Sequence, residues 1–167
     1  YLNKCISTLI NQSINDYEII IVCEKDDFNL EIIKHLSNKH YIIKYIINSV
    51  PGVAGARNLG VSISRGEYIA FADSDDYYDS MKFEAQVNYL NDNPEISVVG
   101  SNLYLVDEQN TIIGTRVYPQ NHEDIINAFL YNMPMANPSI MLRKSDFVDV
   151  GHFDQSFVKA EDFDLWL

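Results

Sequence analysis

Residues 67–79, "EYIAFADSDDYYD", decide how this chain folds. Tyr68, Ile69, Ala70, Phe71 and Ala72 make a short continuous apolar run, the length of a buried strand rather than a helix. The run breaks off in Asp73, Ser74, Asp75, Asp76 and, after two tyrosines, Asp79. Upstream the same design occurs twice. "YEIIIVC" (17–23) runs into "EKDD", and "YIIKYIIN" (41–48) runs into "SVPGVAGARN". Each apolar run therefore ends in a polar cluster.

Helical periods separate these runs. Residues 2–11 carry Leu2, Ile6, Leu9 and Ile10 at helical spacing, and 28–38 carry Leu30, Ile33 and Leu36. Residues 54–64 form a third helix, with Gly66 placed to close it in a left-handed cap. Downstream, Asp79 or Ser80 caps a helix bearing Phe83, Val87 and Leu90, which Pro94 ends. Strands near 97–106 and 111–118 join at "DEQN" as a late β-hairpin. A helix at 122–132, a strand at 139–143 and a last helix from Glu161 follow. Strands alternating with helices predict an α/β fold, a mostly parallel, Rossmann-like sheet with helices on both faces. In such sheets ligands gather at the carboxyl ends of the strands. None of those ends carries a dinucleotide GxGxxG.

A chain of 167 residues reads as a single domain, 1–167. Twelve basic residues face twenty-four acidic ones, for a net charge of −12. That balance argues against nucleic acid or an anionic membrane as the main partner. A phosphate-bearing ligand would need a cation to be held here. Cys5 and Cys23 match no metal-ligand or redox spacing and read as reduced, buried thiols. No run approaches the ~20 apolar residues of a membrane span. The chain opens at Tyr1 inside a helical pattern and stops at "DLWL", so it reads as a piece of a longer protein.

The acidic cluster admits three readings. Acids before a helix gain from its dipole, but one suffices, and Asp79 supplies it. A calcium loop counted from Asp73 fails, because Tyr77 replaces a ligand and Tyr78 the required glycine. In the third reading Asp73 and Asp75 alternate to one side of a strand end and hold a hard divalent cation, Mg²⁺ or Mn²⁺. Such an ion would bridge an acidic protein and a diphosphate. On spacing alone, capping and metal binding both stay open.

Two longer stretches carry a resemblance. "GVAGARNLGVSISRGEYIAFADSDD" (52–76) and "NPSIMLRKSDFVDVGHFDQSFVKAEDFDLWL" (137–167) resemble the family 2 glycosyltransferases of the nucleotide-diphospho-sugar (GT-A) fold. The similarity covers nearly the whole chain. In that family one further strand, which touches the nucleotide base, precedes the segment matching residue 1. The family's Asp-x-Asp motif falls on Asp73 and Asp75, with Asp75 the metal ligand and Asp73 serving metal and nucleotide. Arg57 and Asn58 match its nucleotide-side Ala-Arg-Asn. Cys23 and Glu24 stand where the family generally has aspartates, which leaves Glu24 as the candidate reader of the base. Its catalytic aspartate, in a Glu-Asp pair, falls on Asp162.

The resemblance implies an inverting transfer of sugar from a nucleotide diphosphate donor, a UDP-sugar, to a saccharide or lipid-linked saccharide hydroxyl. The expected setting is polysaccharide biosynthesis in the cytoplasm, with the full-length protein peripheral to the inner face of the membrane. Two rivals remain: a non-catalytic GT-A domain of a larger synthase, and a sugar-phosphate nucleotidyltransferase. Loss of Asp75 or Asp162 would mark the first. A Gly-rich, Lys/Arg-bearing phosphate loop would mark the second, and the sequence shows none. "MPMAN" (133–137), where acceptor contacts are expected, carries no specific signal.

Overall fold

The computed structural model describes residues 1–49, 52–157 and 159–167. Val50 and Pro51 of the "SVPGV" loop lie outside them. The chain runs α1 (Leu2–Ile10), β1 (Ile19–Cys23), α2 (Leu30–Lys39), β2 (Ile43–Ile47), α3 (Val53–Ile63), β3 (Tyr68–Ala70) and α4 (Lys82–Asp92). It continues through β4 (Val98–Val99), β5 (Leu103–Val106), β6 (Ile112–Arg116), α5 (His122–Ala128), β7 (Met141–Arg143), α6 (Lys144–Asp149) and α7 (Glu161–Trp166).

β1 and β2 pair in parallel, Ile19 opposite Ile43 through Cys23 opposite Ile47. Alternation along β1 sends its side chains to opposite faces. Ile19 and Ile21 pack with Cys5, Ile6 and Leu9 of α1 and with Leu36 of α2. Val22, on the other face, meets α3 at Gly60, where an added Cβ would stand 3.3 Å from Val22 Cγ2. Glycine in "RNLG" thus allows the close approach of α3 to β1. Helices cover both faces, as the alternating pattern predicts.

The second sheet has the order β3-β7-β4, and β7 runs antiparallel to both neighbours. The run at 97–106 is two strands, because the chain leaves β4 at Gly100 and enters the β5–β6 hairpin only at Leu103. α6 follows β7 immediately and contributes Phe147, 2% exposed, to a core with Ile69, Phe71, Ile140, Leu142 and Phe153. On the opposite face Arg143 ties β7 to α4. Its Nε donates to Ile96 O (3.1 Å), its Nη1 to the Tyr68 hydroxyl (3.2 Å) and its Nη2 to Leu90 O (2.5 Å). Carbonyls left over at a helix end are so satisfied by a side chain from the sheet.

Two expected caps differ. α3 ends at Ser64, which turns extended (φ −66°, ψ 151°) while its Oγ donates to Val61 O at 2.7 Å. Gly66 is therefore no left-handed cap, since the helix has already stopped by an ST-type bond. α4 starts at Lys82, later than Asp79 or Ser80 require. Asp79 instead accepts the Met81 amide at 2.8 Å and closes the turn before the helix.

Lys82 opens a quantitative test. Its ammonium is buried without a hydrogen-bond partner among the described residues, over the rings of Tyr78 (5.7 Å) and Phe83 (5.3 Å). Burial pulls its pKa down from 10.5 to about 8. From pH 8 to 10.5 the unfolded state holds a proton the folded state has released, so stability rises with pH through that window. Lys82→Met, which keeps the packing and drops the charge, is expected to stabilise the chain at pH 7 by about 2 kcal/mol, or roughly 4–8 °C in Tm. Thermal unfolding should show that gain shrinking at pH 9.5. A Tm unchanged or lowered at pH 7 would contradict it.

Candidate active site

The backbone of the acidic turn is fixed before its carboxylates are considered. Asp76 N donates to Asp73 O at 3.2 Å, closing a turn over Ser74 and Asp75. The Tyr78 hydroxyl accepts the Asp73 amide at 2.8 Å, and the Cys5 thiol donates to Asp73 O at 3.4 Å. Thr8 of α1 and Gln12 just past its end secure the following residues. Thr8 Oγ1 accepts Tyr78 N (3.1 Å), Gln12 Nε2 donates to Asp79 O (2.8 Å), and Gln12 Oε1 accepts Phe83 N (3.1 Å). With the main chain so anchored, Asp75 and Asp76 are left exposed. Burial pushes the Cys5 thiol up to about 11, with Asp76, Asp75 and Asp73 adding to the rise. That thiol stays protonated at neutral pH, and both cysteines are buried and free, as expected of reduced thiols.

Arg57 stands at the centre. Its Nη1 donates to Glu161 Oε1 at 2.7 Å, and its Nη2 lies 3.8 Å from Asp73 Oδ1. Asn137, in the 3₁₀ turn Asn137–Ser139, lies against the same guanidinium, and its amide is assigned with the oxygen toward Arg57, since only that orientation lets it accept from Nε at 3.2 Å and Nη2 at 3.0 Å. Phe153 and Phe71 lie beneath, with ring centroids 5.4 and 5.9 Å from Cζ. A single cation thus gathers α3, the end of β3, the 3₁₀ turn and α7. This geometry places Arg57 on the same side as the acidic turn, as the strand-end argument requires.

The electrostatics remain unbalanced. Burial holds the Asp73 carboxyl above its ordinary range, and Arg57 opposes that rise. Asp75, Asp162 and Glu161 push it further up. Asp73 and Glu161 therefore share one guanidinium, and the charges of Asp75 and Asp162 are felt at Asp73 as well. Arg57 is a positive group among the acids, but not enough of one.

The other expected residues fall as follows. Asn58 spends both ends of its amide on one residue, donating to Phe153 O (2.8 Å) and accepting Phe153 N (3.1 Å). It staples α3 to the segment before α7. Glu24, exposed, stands just past β1, where Cys23 O accepts the Asn48 amide at 2.7 Å from the end of β2. Among the described residues no hydrogen bond or ion pair joins Glu24 to the Arg57 cluster. Asp162 is the second residue of α7, a helix entered through Ala160 in the left-handed region (φ 64°). Leu165 and Trp166 pack on the core, as expected of residues outside the site. An open cleft of about 770 Å³ lies beside α3 and the segment before α7, lined by Asn48, Asn58, His152, Asp154 and Asp164 among others, but not by Arg57, Asp73, Asp75, Glu161 or Asp162. Asn137, Tyr78 and Gln12 are contributors that the sequence did not single out; only the position of Asn137 immediately before Pro138 hinted at a fixed turn.

A family model described as "Glycosyl transferase family 2" matches residues 1–151. The chain belongs to that family. Among family 2 relatives, WfgD of Escherichia coli is 32% identical over 99% of this chain and 63% of its own length. It is named a UDP-Glc:alpha-D-GlcNAc-diphosphoundecaprenol beta-1,3-glucosyltransferase. The O-antigen biosynthesis glycosyltransferase WbnJ of E. coli is 30% identical over 100% of this chain and 65% of its own. An uncharacterized glycosyltransferase of Methanocaldococcus jannaschii is also 30% identical over 100% of this chain and 59% of its own. The chain spans about three-fifths of the length of these relatives. TarS of S. aureus, solved with UDP, superposes with a TM-score of 0.71 over 99% of this chain and 49% of that one, at 19% identity. The family 2 chain therefore has the TarS fold, confirming the α/β class expected from the sequence.

Proposed function

We propose that this chain carries the donor-binding and catalytic region of an inverting, metal-assisted glycosyltransferase that uses a UDP-sugar. The observation that supports the reading is the meeting of Asp73 and Glu161 on Arg57, which ties the acidic turn to the start of α7, one residue before Asp162. The donor class is supported by the UDP-Glc of WfgD's name and by TarS solved with UDP and with UDP-GlcNAc. On the nucleotide side stand Glu24 toward the base and Arg57 and Asp73 toward the diphosphate, with Asn58 holding α3 in place beside them. The acceptor is a saccharide, in the pattern of WfgD a lipid-linked one.

The donor set fits a hard cation. Among the described residues no three His, Cys, Asp or Glu side chains form a metal cage. Mg²⁺ or Mn²⁺ bound with a diphosphate needs only one or two carboxylates, the rest being phosphate oxygens and water. Asp75 and Asp73 would supply those two, and the surplus of carboxylates over Arg57 favours a cation there. Bound, the ion would supply Lewis-acid stabilisation of the negative charge on the leaving diphosphate.

The remaining chemistry belongs to the protein. The acceptor oxygen forms its bond to the anomeric carbon from the face opposite the diphosphate. The bond from that carbon to the phosphate oxygen breaks, and the nucleoside diphosphate leaves with the electron pair. Asp162 takes the acceptor's hydroxyl proton, and the anomeric centre inverts. Holding both partners in line supplies much of the rate. Among the described residues no helix is long and apolar enough to cross a membrane. Any approach to a lipid-linked acceptor therefore does not depend on a span in this segment.

A panel of UDP-sugars, with and without a diphosphoundecaprenol-linked saccharide, tests the proposal through product analysis. UDP release is expected. Free pyrophosphate would identify a nucleotidyltransferase, and no release from any donor would leave a binding domain.

A further inference from the structure

Glu161 immediately precedes the proposed base, yet its carboxylate is not available for chemistry. It is 7% exposed, and its Oε1 accepts Arg57 Nη1 at 2.7 Å. Arg57 is itself held from three other directions, by Asn137, Asp73 and the Phe153 ring. The pair therefore forms a fixed point in the core rather than a surface contact. It acts where the backbone needs holding, because Ala160 enters α7 at φ 64°, a conformation a non-glycine residue keeps only when its surroundings impose it. α7 is six residues long and cannot orient itself. Its other anchors, Phe163 against Phe129 (5.5 Å) and Trp166 against Phe153 (6.3 Å), fix its middle and end. Among the described residues the Arg57–Glu161 bond is the one side-chain hydrogen bond that ties the turn carrying Asp162 to another element.

We infer that Arg57, through its buried bond to Glu161, is a positioning residue that sets Asp162 against the acidic turn. The inference deepens the proposed function and rests on Asp162 as its base. A misplacement of about 1 Å in such a group costs about 100-fold in rate. Because the bond joins α3, which carries the Ala-Arg-Asn stretch, to α7, it links the nucleotide side of the site to the base.

The test uses the full-length enzyme and four variants: Glu161→Leu, Glu161→Gln, Asp162→Asn and the double Glu161→Leu/Asp162→Asn. UDP release is read as kcat and donor KM, UDP binding by calorimetry, and folding by circular dichroism and Tm. Glu161→Leu is expected to lower kcat about 100-fold with donor KM and UDP affinity within about twofold of wild type. Glu161→Gln keeps an oxygen facing Arg57, so it should fold even if the leucine variant does not, and should lose about tenfold. In the double variant the Glu161 change should cost nothing further, since no base remains to misplace. Unchanged kcat in a folded Glu161 variant, or the same loss repeated on top of Asp162→Asn, would overturn the inference. A loss of UDP affinity in place of kcat would also overturn it. Normal turnover by Asp162→Asn would instead defeat the base assignment beneath it, so the two failures are told apart.

Discussion

Asp162→Asn is expected to slow transfer by about 10²–10⁴-fold while leaving donor binding intact. Asparagine keeps the shape and the local hydrogen bond that the Asp162 carboxylate makes with the Phe163 amide (2.9 Å), so α7 should start as before. What it cannot do is take the proton of the acceptor hydroxyl. General-base assistance contributes about 10²–10⁴-fold, and the loss should fall on kcat, with UDP affinity unchanged. Steady-state kinetics alongside calorimetry with UDP separate the two quantities. Neighbouring acids are poor substitutes. Glu161 is buried on Arg57, and Asp164 lines the cleft beyond. If the asparagine variant transferred sugar at the wild-type rate, the base would have to be sought elsewhere.

Removal of divalent metal should weaken UDP binding nearly as far as Asp75→Ala does. The site already sets Asp73 and Glu161 on one guanidinium, with the charges of Asp75 and Asp162 felt at Asp73, and burial holds Asp73 above the usual carboxylate range. A diphosphate entering without a cation adds like charge to that group, inside a chain of net charge −12. We expect an affinity loss of about 100-fold or more with EDTA, reversed by Mg²⁺ or Mn²⁺, and a similar loss in Asp75→Ala that the metal cannot restore. Asp75 is exposed and, among the described residues, makes no side-chain hydrogen bond that holds the turn, so the variant should keep the wild-type Tm within about 1 °C. Equal UDP affinity in all these conditions would reduce the aspartates to helix-flanking acids.

Much of this architecture is legible in the chain, for identifiable reasons. "IIIVC" and "KYII" read as strands because β-branched runs of that length have few other uses, and the polar clusters after them mark the strand ends where the site forms. The direction of β7 is not legible. "MLR" would pair equally well either way, and its antiparallel course is imposed by the strands on its two sides. α6 is hidden for a different reason. Of "KSDFVD" only Phe147 is buried, too little apolar period to announce a helix. Within the site, the Asp-x-Asp and Glu-Asp stretches are visible, but the grip of Arg57 on Glu161 spans 104 positions and that on Asn137 spans 80. No local pattern carries such a pairing. Asn58 shows the opposite: its place in "ARN" is readable, whereas both ends of its amide are committed to the Phe153 backbone.

The β1–β2 and β3-β7-β4 sheets have separate interiors, one around Ile6, Ile19 and Ile43 and the other around Ile69, Leu142 and Phe147. The acidic turn runs between them, with Phe71 sunk in the second and Tyr78 in the first. Mechanically it is a hinge pin seated in two separate blocks. Contiguous packed units of this kind open with their own free energies, which amide hydrogen exchange reads as separate protection levels. A ligand that grips Asp73 and Asp75 from one side and meets α3 from the other clamps both blocks at once. The empty protein should therefore exchange in two steps and the UDP-bound protein in one.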